Sequence, residues 1–228
     1  MTKRGIVALS LLGAAIVAAV LVVVLTRPSG PEPDPAPVYV IALDAGHGGR
    51  DPGAVVGDVL EKDLNLEIVE RLQGLVDAEP DLVAKLTRTL DIFIPLEDRI
   101  RIAEEAGATI YISVHINSFD SPEAEGIETI VADTRPLDDG SWILGELIQD
   151  GLVSATGARD RGTRSQESYT QRTEIPAVSA EVGYLTNPDE MAKLVDPEYQ
   201  QTIAEGILAG IRQFIEYKYP APVLPAHP

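Results

Sequence analysis

The sequence predicts an α/β domain, a single mostly parallel twisted sheet flanked by helices, preceded by one N-terminal transmembrane helix. Three observations carry the domain prediction. Val38–Leu43, Thr109–Ile116 and Ala177–Val182 are near-continuous apolar runs of strand length, the profile of strands buried on both faces. Between them lie stretches with apolar residues three and four apart, the period of a helix with one buried side. Strands alternating with helices, with no internal repeat, in a chain of 228 residues fit one domain with one core.

The elements follow in order. Lys3 and Arg4 precede an uncharged apolar run, Gly5–Leu25, that ends in Thr26–Arg27–Pro28. Roughly 20 apolar residues in a helix cross the hydrocarbon core of a bilayer. A cleavable signal peptide has a shorter apolar stretch and a small-residue cleavage site, and Val22–Leu25 ends without one. Residues 1–27 are therefore expected to be an uncleaved signal-anchor, with the rest of the chain outside the cytoplasm. Secretion after signal cleavage is the rival reading. Residues 28–37 alternate proline with other residues, a semi-rigid extended spacer.

Residues 38–218 are read as the domain. Val38–Leu43 runs as a strand into Gly46–His47–Gly48–Gly49, a turn in which the glycines are expected to allow positive φ. Glu61 opens a helix with Leu64, Ile68, Leu72 and Leu75 on one side, and its acidic start suits a helix N-terminus. Leu82–Leu86 is a short strand, and Pro95 starts a helix with Leu96, Ile100 and Ala103 inward. Ile127–Val131 is a further strand, and Leu137–Thr156 a helix. Asn187–Pro188–Asp189 caps a short helix, and Pro197 begins a long one reaching Tyr217. Residues 219–228 form a Pro-rich tail expected to be disordered.

Composition excludes several functions. The chain has no cysteine, which removes disulfides, thiolate metal sites and thiol nucleophiles. A formal charge of −18 argues against a nucleic-acid partner, because phosphate binding needs clustered Lys and Arg.

Of the three histidines, His227 lies in the tail, leaving His47 and His115 for the domain. Both fall at predicted C-terminal strand ends, the edge of an α/β sheet where ligands bind. Two imidazoles and the carboxylate of Glu61 form a donor set used by hydrolytic zinc, with one coordination position left for water. Glu181, near the end of a buried strand, is costly as a carboxylate unless it has a partner or a task, and general base is one such task. Taken singly, each has a plainer reading: a turn hydrogen bond for His47, a satisfied core histidine for His115, a helix-dipole partner for Glu61, a salt bridge to Arg172 or Arg88 for Glu181. Arg88 and Arg99 are expected to tie helices to the sheet. Asn117 and Ser118 are open between substrate contact and structural support.

The blocks IALDAGHGGRDPGAV, LEKDLNL, LTR, PLEDRIRIA, YISVHINS, EGIET and IPAVSAEVGYLTNPDE together resemble zinc-dependent N-acetylmuramoyl-L-alanine amidases of the type-3 family, from about Val38 to Tyr217. The resemblance implies one zinc ion on His47, Glu61 and His115, with Glu181 catalytic. It also implies the reaction, hydrolysis of the amide between the lactyl group of N-acetylmuramic acid and L-alanine in peptidoglycan, in which Glu181 takes a proton from the attacking water and passes it to the leaving nitrogen. The predicted anchor agrees, since that substrate lies outside the membrane. A zinc peptidase cutting within the stem peptide and an inactive peptidoglycan-binding domain are the alternatives, and the sequence leaves room for a protein activator. Glu104, Thr109 and Ser179 stand where relatives commonly carry Asn, Asp and Leu. Some relatives place a blocking helix in an insertion in this part of the domain. The ten residues between His115 and Gly126 leave no room for one, so an uncovered site is expected.

Overall fold

The computed structural model describes residues 38–220; the predicted anchor, the linker and the tail from residue 221 lie outside the described residues. Among the described residues no helix is long and apolar enough to cross a membrane. The strands are β1 (Tyr39–Ala45), β2 (Val55–Val56), β3 (Val59–Leu60), β4 (Leu82–Leu86), β5 (Ile110–Asn117), β6 (Ile127–Ala132), β7 (Asp160–Gln166) and β8 (Ala177–Tyr184). The helices are α1 (Glu61–Asp77), α2 (Leu96–Glu105), α3 (Gly140–Thr156), α4 (Pro188–Leu194) and α5 (Pro197–Lys218), with a 3-10 turn at Tyr169–Arg172.

Six strands form one sheet in the order β4-β1-β5-β8-β6-β7. Every neighbouring pair is parallel except β6 and β8, so β6 and β7 run against the other four. One face of the sheet carries the main core, in which Ile41, Leu43, Ile112 and Val114 meet Ile68 and Leu72 of α1, Ile148 of α3 and Ile207 and Ile211 of α5. The opposite face is covered near β1, β5 and β8 by a smaller cluster, Ala42, Tyr111 and Ala177 beneath Ile100 and Ala103 of α2. Helices α3 and α5 approach closely because Gly151 lies against Gly206, where an added Cβ would stand 2.3 Å from the Gly206 carbonyl oxygen.

The caps explain the helix limits. Asp139 accepts from Ser141 N, so α3 begins at Gly140 and not at Leu137, which is 85 % exposed. Asn187 caps α4 and Asp196 caps α5, each followed by proline in the first helical position. Two expectations need correcting. Leu96 points outward, 44 % exposed, while Arg99 is the buried residue of that turn. Strand β7, Asp-Arg-Gly-Thr-Arg-Ser-Gln, was not expected at all; it lies at the sheet edge and is almost wholly polar.

Candidate active site

Alternation along the strands brings the polar residues to one face. Asp44 of β1 is in register with Ser113 of β5, and Ser113 with Ser179 of β8. One step toward the C-terminal ends of β5 and β8, His115 is in register with Glu181, and Glu181 with Glu128 of β6. His115 and Glu181 therefore sit inside their strands, not at the ends: β5 continues to Asn117 and β8 to Tyr184.

His47 follows the end of β1 and itself adopts φ 61°, an uncommon conformation for a residue with a side chain. Its turn is held by Gly48, at φ 127°, in a two-way backbone pairing with Asp51. Gly46 has a different task from the torsional one expected. Its Cα faces the imidazole of His115, and a Cβ there would lie 2.3 Å from the ring. Gly46→Ala is accordingly expected to displace His115 and lower metal stoichiometry, with little change in helix content; metal analysis beside circular dichroism checks this.

Glu61 is presented by the β2–β3 hairpin at the first position of α1. Its backbone N–H donates to Ala54 O at 3.0 Å, and Lys62 N to Pro52 O at 3.2 Å, so the loop satisfies the helix's first amides. The carboxylate is held as firmly: Oε2 accepts from Ala54 N at 2.8 Å, Oε1 from Ile116 N at 3.1 Å and Asn65 Nδ2 at 3.2 Å. His47 Nε2 and His115 Nδ1 each stand 3.2 Å from Glu61 Oε1. The three ligand atoms lie within 4.8 Å of one another. Tetrahedral zinc with bonds near 2.1 Å needs ligand atoms about 3.4 Å apart, so this donor set fits such an ion with small adjustments. Asp51 Oδ2 lies 2.9 Å from His47 Nδ1 and fixes that ring from behind.

The electrostatics follow from the packing. Burial favours the neutral imidazole at His47, but the Glu61 and Asp51 carboxylates prevail and raise its pKa to about 9. Burial likewise opposes charge on Glu61, and the two imidazoles overcome it, holding that carboxyl far below its usual range. Glu181 behaves oppositely. Burial pushes it up to about 7, against the pull of His115, and the nearby Glu61 and Glu128 carboxylates add to the rise. Among the described residues no arginine pairs with it: Arg172 pairs with Glu97, and Arg88 donates to the carbonyls of Ala45, Gly46 and Lys62. A carboxyl that gains and loses a proton near neutrality has the property a general acid–base needs.

Beneath the site lies a buried network that the sequence reading missed. Asp44, fully buried, accepts hydrogen bonds from Thr87 Oγ1 (2.5 Å), Ser113 Oγ (2.6 Å), Arg99 Nη1 (2.7 Å) and Tyr169 OH (2.7 Å). Arg99 also donates to Ala45 O and His47 O, so α2 braces the histidine turn. The signal was available as a charged residue inside an apolar strand, which needs a buried partner. Asn117 is consumed structurally: its Nδ2 donates to Glu128 Oε1 at 2.8 Å, and its Oδ1 accepts from Ser118 N. Among the residues where relatives differ, Ser179 faces the cleft beside Glu181, and Glu104 accepts from Thr173 Oγ1. Residues 118–126, between β5 and β6, contain turns and no helix over the site.

A family model described as N-acetylmuramoyl-L-alanine amidase matches residues 41–213. The chain belongs to the N-acetylmuramoyl-L-alanine amidase family. It is 33 % identical over 183 residues to the endolysin of Bacillus phage SPP1, covering 78 % of this chain and 67 % of that one. The crystal structure of the amidase from Clostridium difficile 630 superposes with a TM-score of 0.75 at 33 % identity, over 81 % of this chain and 99 % of that one. The amidase CwlD from Clostridioides difficile, whose structure is in complex with the GerS lipoprotein, gives a TM-score of 0.74 at 29 % identity, over 78 % and 99 %. In this amidase the family match spans all four predicted site residues, His47, Glu61, His115 and Glu181.

Proposed function

We propose that this chain hydrolyses the amide between the lactyl group of N-acetylmuramic acid and L-alanine in peptidoglycan, with one zinc ion on His47, Glu61 and His115 and with Glu181 as general base. The observation that supports the reading most is the convergence of those three donors, from β1's turn, the start of α1 and β5, within 4.8 Å. Zinc, when bound, lowers the pKa of water and polarises a carbonyl. The protein's own part is proton handling and alignment. Glu181 accepts a proton from the water as the C–O bond forms, then returns it to the amide nitrogen, which leaves as the amine when the C–N bond breaks. Asp51 fixes the His47 imidazole through its other nitrogen, and Arg99 fixes the carbonyl of His47.

The setting belongs to the same proposal. Residues 1–27 anchor the chain in the cell membrane, residues 28–37 hold the domain away from it, and the domain works on the extracytoplasmic side. The test incubates the metal-loaded protein with purified peptidoglycan, with and without chelator, and identifies products by mass spectrometry. Release of stem peptides beginning at L-alanine, abolished by chelator and restored by zinc, is expected. Cuts within the peptide would replace the reading with a peptidase, and bound but intact wall with a binding domain.

A further inference from the structure

Two clefts of different chemistry lie at the two ends of the row His115, Glu181, Glu128: His115 lines one and Glu128 the other, while Glu181 opens into the cleft between Tyr169 and Arg172. The first, about 320 Å³, is walled mainly by Phe93, Ile94, Leu96 and Tyr169 beside His47. The second, about 470 Å³, lies beyond Glu128 and is lined by Asn117, Phe119, Glu123, Arg161 and Tyr184. Glu128 is buried and anchors two arginines of β7 on one oxygen: Arg161 Nε at 3.3 Å and Arg164 Nε at 3.0 Å from Oε2. Arg161 also lies over the Tyr184 ring, 5.1 Å from its centroid. Both guanidinium groups are thus held through Nε. Among the described residues neither terminal nitrogen of Arg164, a half-exposed residue, has a hydrogen-bond partner. Two arginines oriented on one buried carboxylate stand out in a chain of net charge −18.

The substrate has the same asymmetry. The muramic acid carboxyl is consumed in the scissile amide, so the sugar side is uncharged, whereas the peptide side carries free carboxylates. The first of these is the α-carboxylate of the glutamate that follows L-alanine, left free because this residue is joined to L-alanine by its α-amine and to the third residue by its side-chain carboxyl. One extended residue spans about 3.5 Å, so this group lies roughly 7 Å from the scissile nitrogen. Glu128 on β6 is paired directly with Glu181 on β8, and adjacent strands are about 4.8 Å apart, so side chains reaching back from β7 to Glu128 end roughly one to two strand spacings from Glu181. Resting on the amidase reading above, we infer that Arg161 and Arg164 are specificity-determining residues that bind the free α-carboxylate of the stem peptide's second residue, while the glycan lies over the Phe93–Leu96 shoulder. Glu123 adds a negative charge to the same cleft, so selection works by where the carboxylate sits and not by net charge.

The test uses the full-length zinc-loaded protein with two soluble probes, N-acetylmuramyl-L-alanyl-D-isoglutamate and its isoglutamine counterpart, in which a carboxamide replaces that carboxylate. The unsubstituted protein is expected to favour the carboxylate about tenfold in kcat/KM, the scale of one charge-assisted bidentate contact, and to do so through KM. Arg164→Gln brings the ratio near one, and Arg164→Lys restores part of it. Arg172→Gln, on the opposite side of Glu181, keeps the ratio. Thermal unfolding confirms that each variant is folded. If peptidoglycan is cleaved but the two probes are not distinguished, or if Arg172→Gln and not Arg164→Gln removes the preference, the inference is overturned and the function stands. If peptidoglycan itself is not cleaved, the function fails instead.

Discussion

Glu181→Gln is expected to leave metal content and thermal stability near those of the unsubstituted protein while lowering kcat by about 10³-fold, within the range for loss of a general acid–base. The side chain keeps its size and loses only the ability to exchange a proton. Stability should not suffer, because among the described residues Glu181 has no ion-pair partner, and burial works against its charged form in the folded protein. An amide there removes a like charge from beside Glu61 and Glu128, and a small gain in melting temperature is the expected direction. Zinc analysis, a thermal scan and single-turnover hydrolysis of a muropeptide measure the three quantities. Full turnover with zinc retained would take the proton-transfer role away from Glu181. Loss of zinc would instead make it part of the ligand support.

What could be read from the sequence follows where burial was symmetric. β1, β5 and β8 lie between layers, and their apolar runs announce them. β7 pairs on one side only, with β6, and its Arg-Gly-Thr-Arg run carries neither continuous apolarity nor a clean alternation. The β2–β3 hairpin has two residues per strand, too few for any period to appear. The donor set was legible because the domain offers only two histidines, each on a glycine turn or a buried strand. The bracing was legible in part. Arg99 was expected to hold a helix to the sheet, but its partner Asp44 and the role of Tyr169 depend on which strands become neighbours, a long-range property that no local pattern encodes. Ser113–His115 and Ser179–Glu181 alternate within strands that were read only as buried on both faces, and with Asp44 they trace the floor of the site.

Asp44→Ala should give the largest stability loss in the domain, and its pH dependence identifies the cause. The carboxylate takes four hydrogen bonds with no access to water, and Arg99, 2 % exposed, has it as the carboxylate in its ion pair. Removing one partner of a buried pair strands the other, a loss of roughly 3–5 kcal/mol. The sign with pH is fixed by the pKa. Burial alone would raise it, but Arg99 and the three hydroxyl donors lower it to about 2. The unfolded chain titrates near its ordinary value, about 3.9. As pH falls the unfolded state therefore binds the proton first. The carboxylate's contribution, about 2.5 kcal/mol, is complete above about pH 5 and is lost between there and about pH 1. Urea unfolding of the parent and Asp44→Ala should show a wide gap at pH 7 that narrows by about 1.8 kcal/mol near pH 2.5. A gap that stayed constant would assign the loss to the cavity and not to the charge. Because Arg99 also holds His47 O and Tyr169 donates to Asp44, the same substitution is expected to weaken metal retention at pH 7 in the fraction that remains folded.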